Sequence, residues 1–268
     1  RGSAIVWDRA TGRAVGPAQG WQDLRTVGDC LVLAAEGLRF APNQSGTKFT
    51  NMLDSVDPQR SRDLCVGTPD AWLIWHLTRG EVHATDASNA GITGLLSSRS
   101  GGNEWATDLL DRLRIPSGSM PTLVDSSGHL GDATALPGSP PIMGVAGDQQ
   151  ASLIGQGCVR PGMAKATFGT GAMLDVCVGP SAPAAAARSK GGTFPIVCWR
   201  RSVGGAPETM WGIEAIMLSA GTNVQWLRDD LDIISSAADS EAVALGCEST
   251  EGVVYVPAQI GLGTPRWD

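Results

Sequence analysis

The sequence predicts an α/β protein. Apolar strand-like runs are followed by runs of helical spacing, Gly/Pro-rich stretches separate them, and hydrophobic residues make up 42% of 268 residues, enough for a real core. Domains run to roughly 100–200 residues, so the length fits one large or two modest domains.

Residues 3–16 read as a hairpin, with "AIVW" as a strand, "DRATG" as turn residues and "RAV" returning. "DLRTVGDCLVLAAEGL" spaces its apolar residues as a helix does, and Gly37 suits its end. Thr68–Pro69–Asp70 opens a helix over "AWLIWHLT", with Thr68 as N-cap and Pro69 where a missing N–H costs nothing. Residues 97–141 hold the loops Ser97–Gly102, "IPSGSMP" and "LPGSPP". From Pro141 the character changes. "PIMGVAG" reads as a buried strand and "QQASLIGQG" as a short helix. "MAKATFGTGAMLDVCVG" reads as two strands joined at Gly169–Gly171, and "GGTFPIVCW" as another strand. "GIEAIMLSAGTNVQWLRDDL" reads as a helix with a glycine inside it, and "GVVYVPA" as a final strand. No internal repeat appears, and the short alanine run 184–187 is the one biased tract. A boundary near residues 153–160 divides the chain into 1–155 and 156–268.

Composition narrows function. A net charge of −7 with no Lys/Arg block argues against a nucleic-acid partner but leaves phosphorylated small molecules open. No apolar run approaches the ~20 residues of a membrane helix, and no signal peptide is visible. Six scattered cysteines without a CxxC pair, and three histidines, show no zinc spacing. The cysteines read as reduced core or near-core residues of a cytoplasmic protein.

Four places could carry chemistry. Asp148 follows the apolar run Gly144–Gly147. It could accept a proton from a bound hydroxyl at the carboxyl edge of a strand, or simply cap the helix that follows. Gly169–Thr170–Gly171 could bring backbone N–H groups and a hydroxyl close to phosphate oxygens, or be an ordinary hairpin turn. No P-loop and no G-x-G-x-x-G fingerprint is present. Gly221 with Gln225 one turn on marks close approach of another backbone or of a planar ligand, with core packing as the alternative. Trp21, Asp23 and Arg25 at alternate positions could wall and bind a polyol, or be a buried tryptophan beside a structural ion pair.

Taken together, "AIVWDRATG", "WQDLRT", "SGTK", "WLIWHLT", "TDASNAGIT", "GVAGDQQASLIGQG", "GMAKATFGTGAM", "SAGTNVQWLRD" and "VYVPAQIGLGTPRWD" resemble, in order along nearly the whole chain, the FGGY family of carbohydrate kinases, most closely its glycerol-kinase branch. The resemblance implies two actin-like (ribonuclease-H-like) domains around a cleft, and ATP-dependent phosphorylation of a hydroxyl on a small polyol or sugar. It implies a general base at Asp148, substrate contacts at Arg1, Trp21, Asn43, Gln149 and Met173, and ATP contacts at Gly169, Thr170, Gly171, Gly221 and Gln225. Mg2+ would be held through ATP, with no metal ligand assigned in this chain. Homo-oligomerisation of the full-length protein is a further implication.

Three positions depart from the glycerol pattern: Gly2, Asn43 and Met173 stand where the family has Glu, Tyr and Phe. The expectation is a pocket altered on three sides, with glycerol not the best substrate. Alternatives are a kinase for a pentose, pentulose or longer polyol, or a non-catalytic binding or regulatory chain. The resemblance also places a phosphate hairpin before Arg1 and an adenine motif after Asp268. The chain is therefore expected to be the middle of a longer enzyme, both domains incomplete, and inactive in isolation.

Overall fold

The computed structural model describes residues 1–97, 101–183, 191–258 and 261–266. The alanine run 184–187 and part of the 97–102 loop lie outside them. β1 (Ile5–Asp8) and β2 (Leu64–Gly67) pair antiparallel, with Ile5 opposite Gly67 and Asp8 opposite Leu64. Strand alternation splits their side chains between two buried faces. Val6, Leu64 and Val66 join Leu33 of α1 (Val27–Ala35) and Phe49 and Leu53 of α2 (Gly46–Val56). Trp7 and Cys65 join Ala71 and Trp75 of α3 (Pro69–Leu77). Burial on both sides explains why "AIVW" reads as an apolar run.

The 3–16 hairpin is reduced: β1 takes β2 as its full partner and meets the returning segment through the bridges Trp7–Ala14 and Ala4–Gln19. Thr68 occupies the N-cap position of α3, but its hydroxyl goes to the Asp70 carboxylate instead of a helix amide.

β3 (Ala84–Asp86) runs parallel to β4 (Thr122–Val124). Between them lie α4 (Ala87–Ile92) and α5 (Thr107–Arg112). β5 (Ser127–Asp132) and β6 (Pro141–Gly144) form an antiparallel pair. The expectation of a buried strand over "PIMGVAG" is corrected: β6 is four residues long, pairs with β5 and is largely exposed, and among the described residues it joins none of the hydrophobic core clusters. α6 (Asp148–Gly155) follows.

The second half is built on an antiparallel sheet of β7 (Ala164–Phe168), β8 (Ala172–Gly179), β9 (Phe194–Val203) and β10 (Ala206–Met217), in the order β7-β8-β10-β9. Leu153 of α6 packs against Cys177, Ile196, Cys198 and Met210 of this sheet, and Ile92 of α4 joins them. Ala87 packs against Val197 and Trp211. Apolar contact therefore seats α4 and α6 on the sheet.

α7 (Gly221–Asp229) and α8 (Asp239–Leu245) complete the described elements. Two expectations change here. "GIEAIM" belongs to β10, because its residues find ladder partners on β8 and β9, and this moves Gly221 from a helix interior to the first residue of α7. "GVVYVPA" forms no strand: Val253, Val254 and Val256 are exposed, and Tyr255 instead stacks on Trp226 of α7, ring centroids 5.6 Å apart. Of the six free cysteines, five are buried and Cys247 is exposed, so the core reading fails at Cys247, beyond the last turn of α8.

Candidate active site

Asp148 is the first residue of α6, and its side chain is 66% exposed. The N-cap position falls on Gly147, so the capping reading of Asp148 is corrected. Close packing explains the glycine: a Cβ on Gly147 would lie 2.6 Å from Gln150 Oε1. The Gly147 amide donates to Ser88 Oγ (2.8 Å), and Ser88 in turn donates to buried Asp86 (2.9 Å). Asp86 also accepts from the backbone and side-chain nitrogens of Asn89 and, at 2.6 Å, from Ser126. A buried polar knot thus fixes the loop that delivers Asp148.

Arg1 reaches the same place. Its backbone nitrogen lies 3.4 Å from Asp148 Oδ1, Nη1 donates to Gln150 Oε1 (3.0 Å), and Nη2 is ion-paired with Glu214 of β10. Burial pulls the Asp148 carboxyl upward, while the Arg1 guanidinium and the Gln149 backbone amide favour its ionised form. An ionised, open carboxylate is the form that can take a proton.

Gln149, next along the helix, is held from the sheet. Its side-chain Oε1 and its backbone carbonyl both accept from Lys165 Nζ, at 2.7 and 3.2 Å. Lys165 is fully buried and ion-paired with Asp175 at 2.8 Å. Lys165 faces Asp175 across β7 and β8, and Asp175 faces Glu214 across β8 and β10. Three charged residues thus form one row across the sheet, and Arg1 closes it. Burial pushes the Glu214 carboxyl up while Arg1 opposes the rise. Sequence reasoning missed Lys165, Asp175 and Glu214. Each looks like an ordinary polar residue on a strand, and the cross-strand register is the signal that joins them.

Around Arg1 the substrate-side residues gather. Gly2 has φ +77°, and a Cβ there would lie 2.9 Å from the Asn43 carbonyl and 3.4 Å from Trp21 Cβ. Trp21 is 47% exposed, so it is no buried tryptophan, and Lys48 Nζ holds its carbonyl at 3.2 Å. Asp23 and Arg25 pair with each other at 2.7 Å, the structural ion pair that was one of the two readings of this segment. Met173 lies on β8 two residues before Asp175, hence on the same strand face.

The tip of the β7–β8 hairpin is Gly169–Thr170–Gly171, with Thr170 exposed. Its carbonyls turn onto the start of α7: Gly221 N donates to Gly169 O (2.8 Å) and Ala220 N to Thr170 O (2.8 Å). A Cβ on Gly221 would come 2.7 Å from Gly169 O, and one on Gly171 would come 2.6 Å from Met217 O. Of the readings of Gly221, close approach of another backbone is the one observed. Gln225, one turn along α7, is exposed. Among the described residues no group of three or more His, Cys, Asp or Glu could hold a metal ion, and no helix is long and apolar enough to cross a membrane.

Comparison with known proteins agrees with this architecture. The model of the FGGY family of carbohydrate kinases, N-terminal domain, matches residues 1–155. The whole chain aligns with a glycerol kinase of Alkalilimnicola ehrlichii at 44% identity and with one of Bordetella pertussis at 42%, covering 55% of each. The chain thus spans about half the length of the curated relatives it matches. Among solved structures, glycerol kinase of Plasmodium falciparum with ADP superposes with a TM-score of 0.87 at 27% identity, over 100% of this chain and 55% of that one. A xylulose kinase of Rhodospirillum rubrum, at 21% identity and a TM-score of 0.78 over 97% of this chain and 54% of that one, shows the fold alone. The fold is the actin-like ATPase fold of sugar kinases, and with a family model over more than half its length the chain belongs to the FGGY family of carbohydrate kinases.

Proposed function

We propose that the protein carrying this chain is a cytoplasmic carbohydrate kinase that transfers the terminal phosphoryl group of ATP to a hydroxyl of a small polyol of the glycerol class. One observation carries the reading: the open carboxylate of Asp148, the amide of Gln149 and the guanidinium of Arg1 converge at one end of α6, on the same sheet that presents the Gly169–Thr170–Gly171 hairpin. The relatives' names support it.

Asp148 accepts the hydroxyl proton as that oxygen attacks phosphorus. Arg1, Trp21, Asn43, Gln149 and Met173 surround the substrate. Gly169, Thr170 and Gly171 lie along the phosphates, and Gly221 and Gln225 line the nucleotide side. The hairpin fits phosphate groups: Thr170 is exposed, and the nearest atom to a Cβ on Gly169 would be 3.6 Å away. ATP supplies the phosphoryl group and Mg2+, carried with it, offsets its charge. Phosphoryl transfer depends mainly on positioning and charge stabilisation, so one well-placed acid suffices.

The test is ATP consumption against a panel of triols, tetritols, pentitols and ketoses with the purified protein. Phosphorylation of a triol or tetritol supports the reading. Turnover confined to pentuloses favours a pentulose kinase, and ATP binding without turnover on any member favours a binding role.

A further inference from the structure

Gln149 could present either edge of its amide to a bound hydroxyl. Which edge it presents decides whether the pocket offers a donor or an acceptor. Lys165 removes the choice. An ammonium only donates, so the group 2.7 Å from Lys165 Nζ must be the amide oxygen. The same Nζ lies 3.2 Å from the Gln149 backbone carbonyl, so side chain and main chain of the residue after Asp148 are tied to one buried cation. The Nε2 edge is left as the edge that can face a ligand.

The cation is itself built in. Lys165 and Asp175 are 0% and 1% exposed at their side chains and 2.8 Å apart. A buried cation without a partner is costly, and the carboxylate facing it across the strand pair supplies the compensating charge. Glu214 stands beyond Asp175 in the same row and is paired with Arg1, so two acids and two cations balance beneath α6.

We propose that Lys165 is a positioning residue that, held by Asp175, locks Gln149 so that the substrate pocket offers an N–H donor beside the Asp148 carboxylate. The proposal rests on the kinase reading of Asp148 and Gln149. It favours substrates whose hydroxyl, next to the one phosphorylated, accepts a hydrogen bond at its oxygen.

The test has two readouts on the full protein. The first is independent of activity: the order parameter of the Gln149 side-chain NH2 group by NMR. In the wild type it should sit near the rigid range of about 0.85, in Lys165→Met it should fall below about 0.6, and Lys165→Arg should retain it in large part. Because Lys165→Met leaves Asp175 buried and unpaired, the double variant Lys165→Met/Asp175→Leu, which replaces the ion pair with apolar side chains, serves if the single variant does not fold.

The second readout is kinetic. Lys165→Met should lower kcat/KM for the polyol about tenfold, chiefly through KM, with KM for ATP unchanged. Combined with Gln149→Ala, it should add nothing to the loss that Gln149→Ala causes alone. A mobile amide in the wild type, an unchanged order parameter in the variants, or additive losses would overturn the proposal. A rigid amide that loosens in Lys165→Met, in a protein that phosphorylates no hydroxyl compound, would sink the kinase reading and leave the positioning of Gln149 standing.

Discussion

The Gly221 amide donates to the Gly169 carbonyl at 2.8 Å, and the space a Cβ on Gly221 would need lies 2.7 Å from that same oxygen. The start of α7 and the hairpin tip are therefore one packed backbone unit, with no room between them for a methyl group.

Gly221→Ala should push the hairpin and the helix apart. The expected loss is about 1–3 kcal/mol of stability, as for other overpacked sites, together with a raised KM for ATP. Gly155→Ala is the control: that helical glycine meets nothing within 4 Å of a built Cβ, so the change should be neutral or stabilising by up to about 1 kcal/mol. Denaturant midpoints of the two variants check this. Equal effects would show that packing at Gly221 is not the cause.

Asp148→Asn should lower kcat about 10²–10⁴-fold while ATP binding persists. The Arg1 guanidinium favours the ionised carboxylate that this role requires, and burial opposes it. Turnover within threefold of wild type would remove Asp148 from the general-base role.

Gly2→Glu tests the altered pocket. The residue has φ +77°, which a side chain adopts at a strain of order 1–3 kcal/mol, and the Asn43 carbonyl blocks the Cβ. The Arg1 guanidinium already has its carboxylate in Glu214. The substitution should therefore destabilise the protein without making it a better glycerol kinase. In the wild type, glycerol should not lead a polyol panel. A tenfold lead for glycerol in kcat/KM would refute this.

His83 should make the N-terminal half acid-sensitive. Its ring lies edge-on to Trp7 (centroids 5.0 Å) and Trp75 (5.8 Å), and Nε2 is 3.1 Å from the Val66 carbonyl, an acceptor, so Nε2 carries the proton of the neutral ring. Burial lowers its pKa from 6.5 to about 4. Because the folded value is depressed, the unfolded chain binds the proton first. Stability should be full above about pH 6.5 and fall by about 3 kcal/mol as pH drops to about 4. In His83→Gln that part of the pH dependence should vanish from the unfolding free energy. An unchanged slope would show that the ring titrates normally.

The sequence by itself determined the elements whose signals are local. The α3 start at Thr68–Pro69, the glycine turn at 169–171 and the apolar runs of β1 and β8 depend on propensity and pattern within a few residues, whereas β2 went unread. Family resemblance placed Asp148 and Gln149 side by side, which adjacency in the chain guarantees. Only the tertiary structure decided what depends on partners far apart. β10 took "GIEAIM" because two strands were there to pair with it, while "GVVYVPA" forms no strand. Likewise Lys165, Asp175, Glu214 and Arg1 are 213 residues apart at the extremes, and they became one buried row only when the register of β7, β8 and β10 brought them opposite one another. Hydrogen-bond ladders and the balance of buried charge are sums over such contacts, and no window of neighbouring residues contains them.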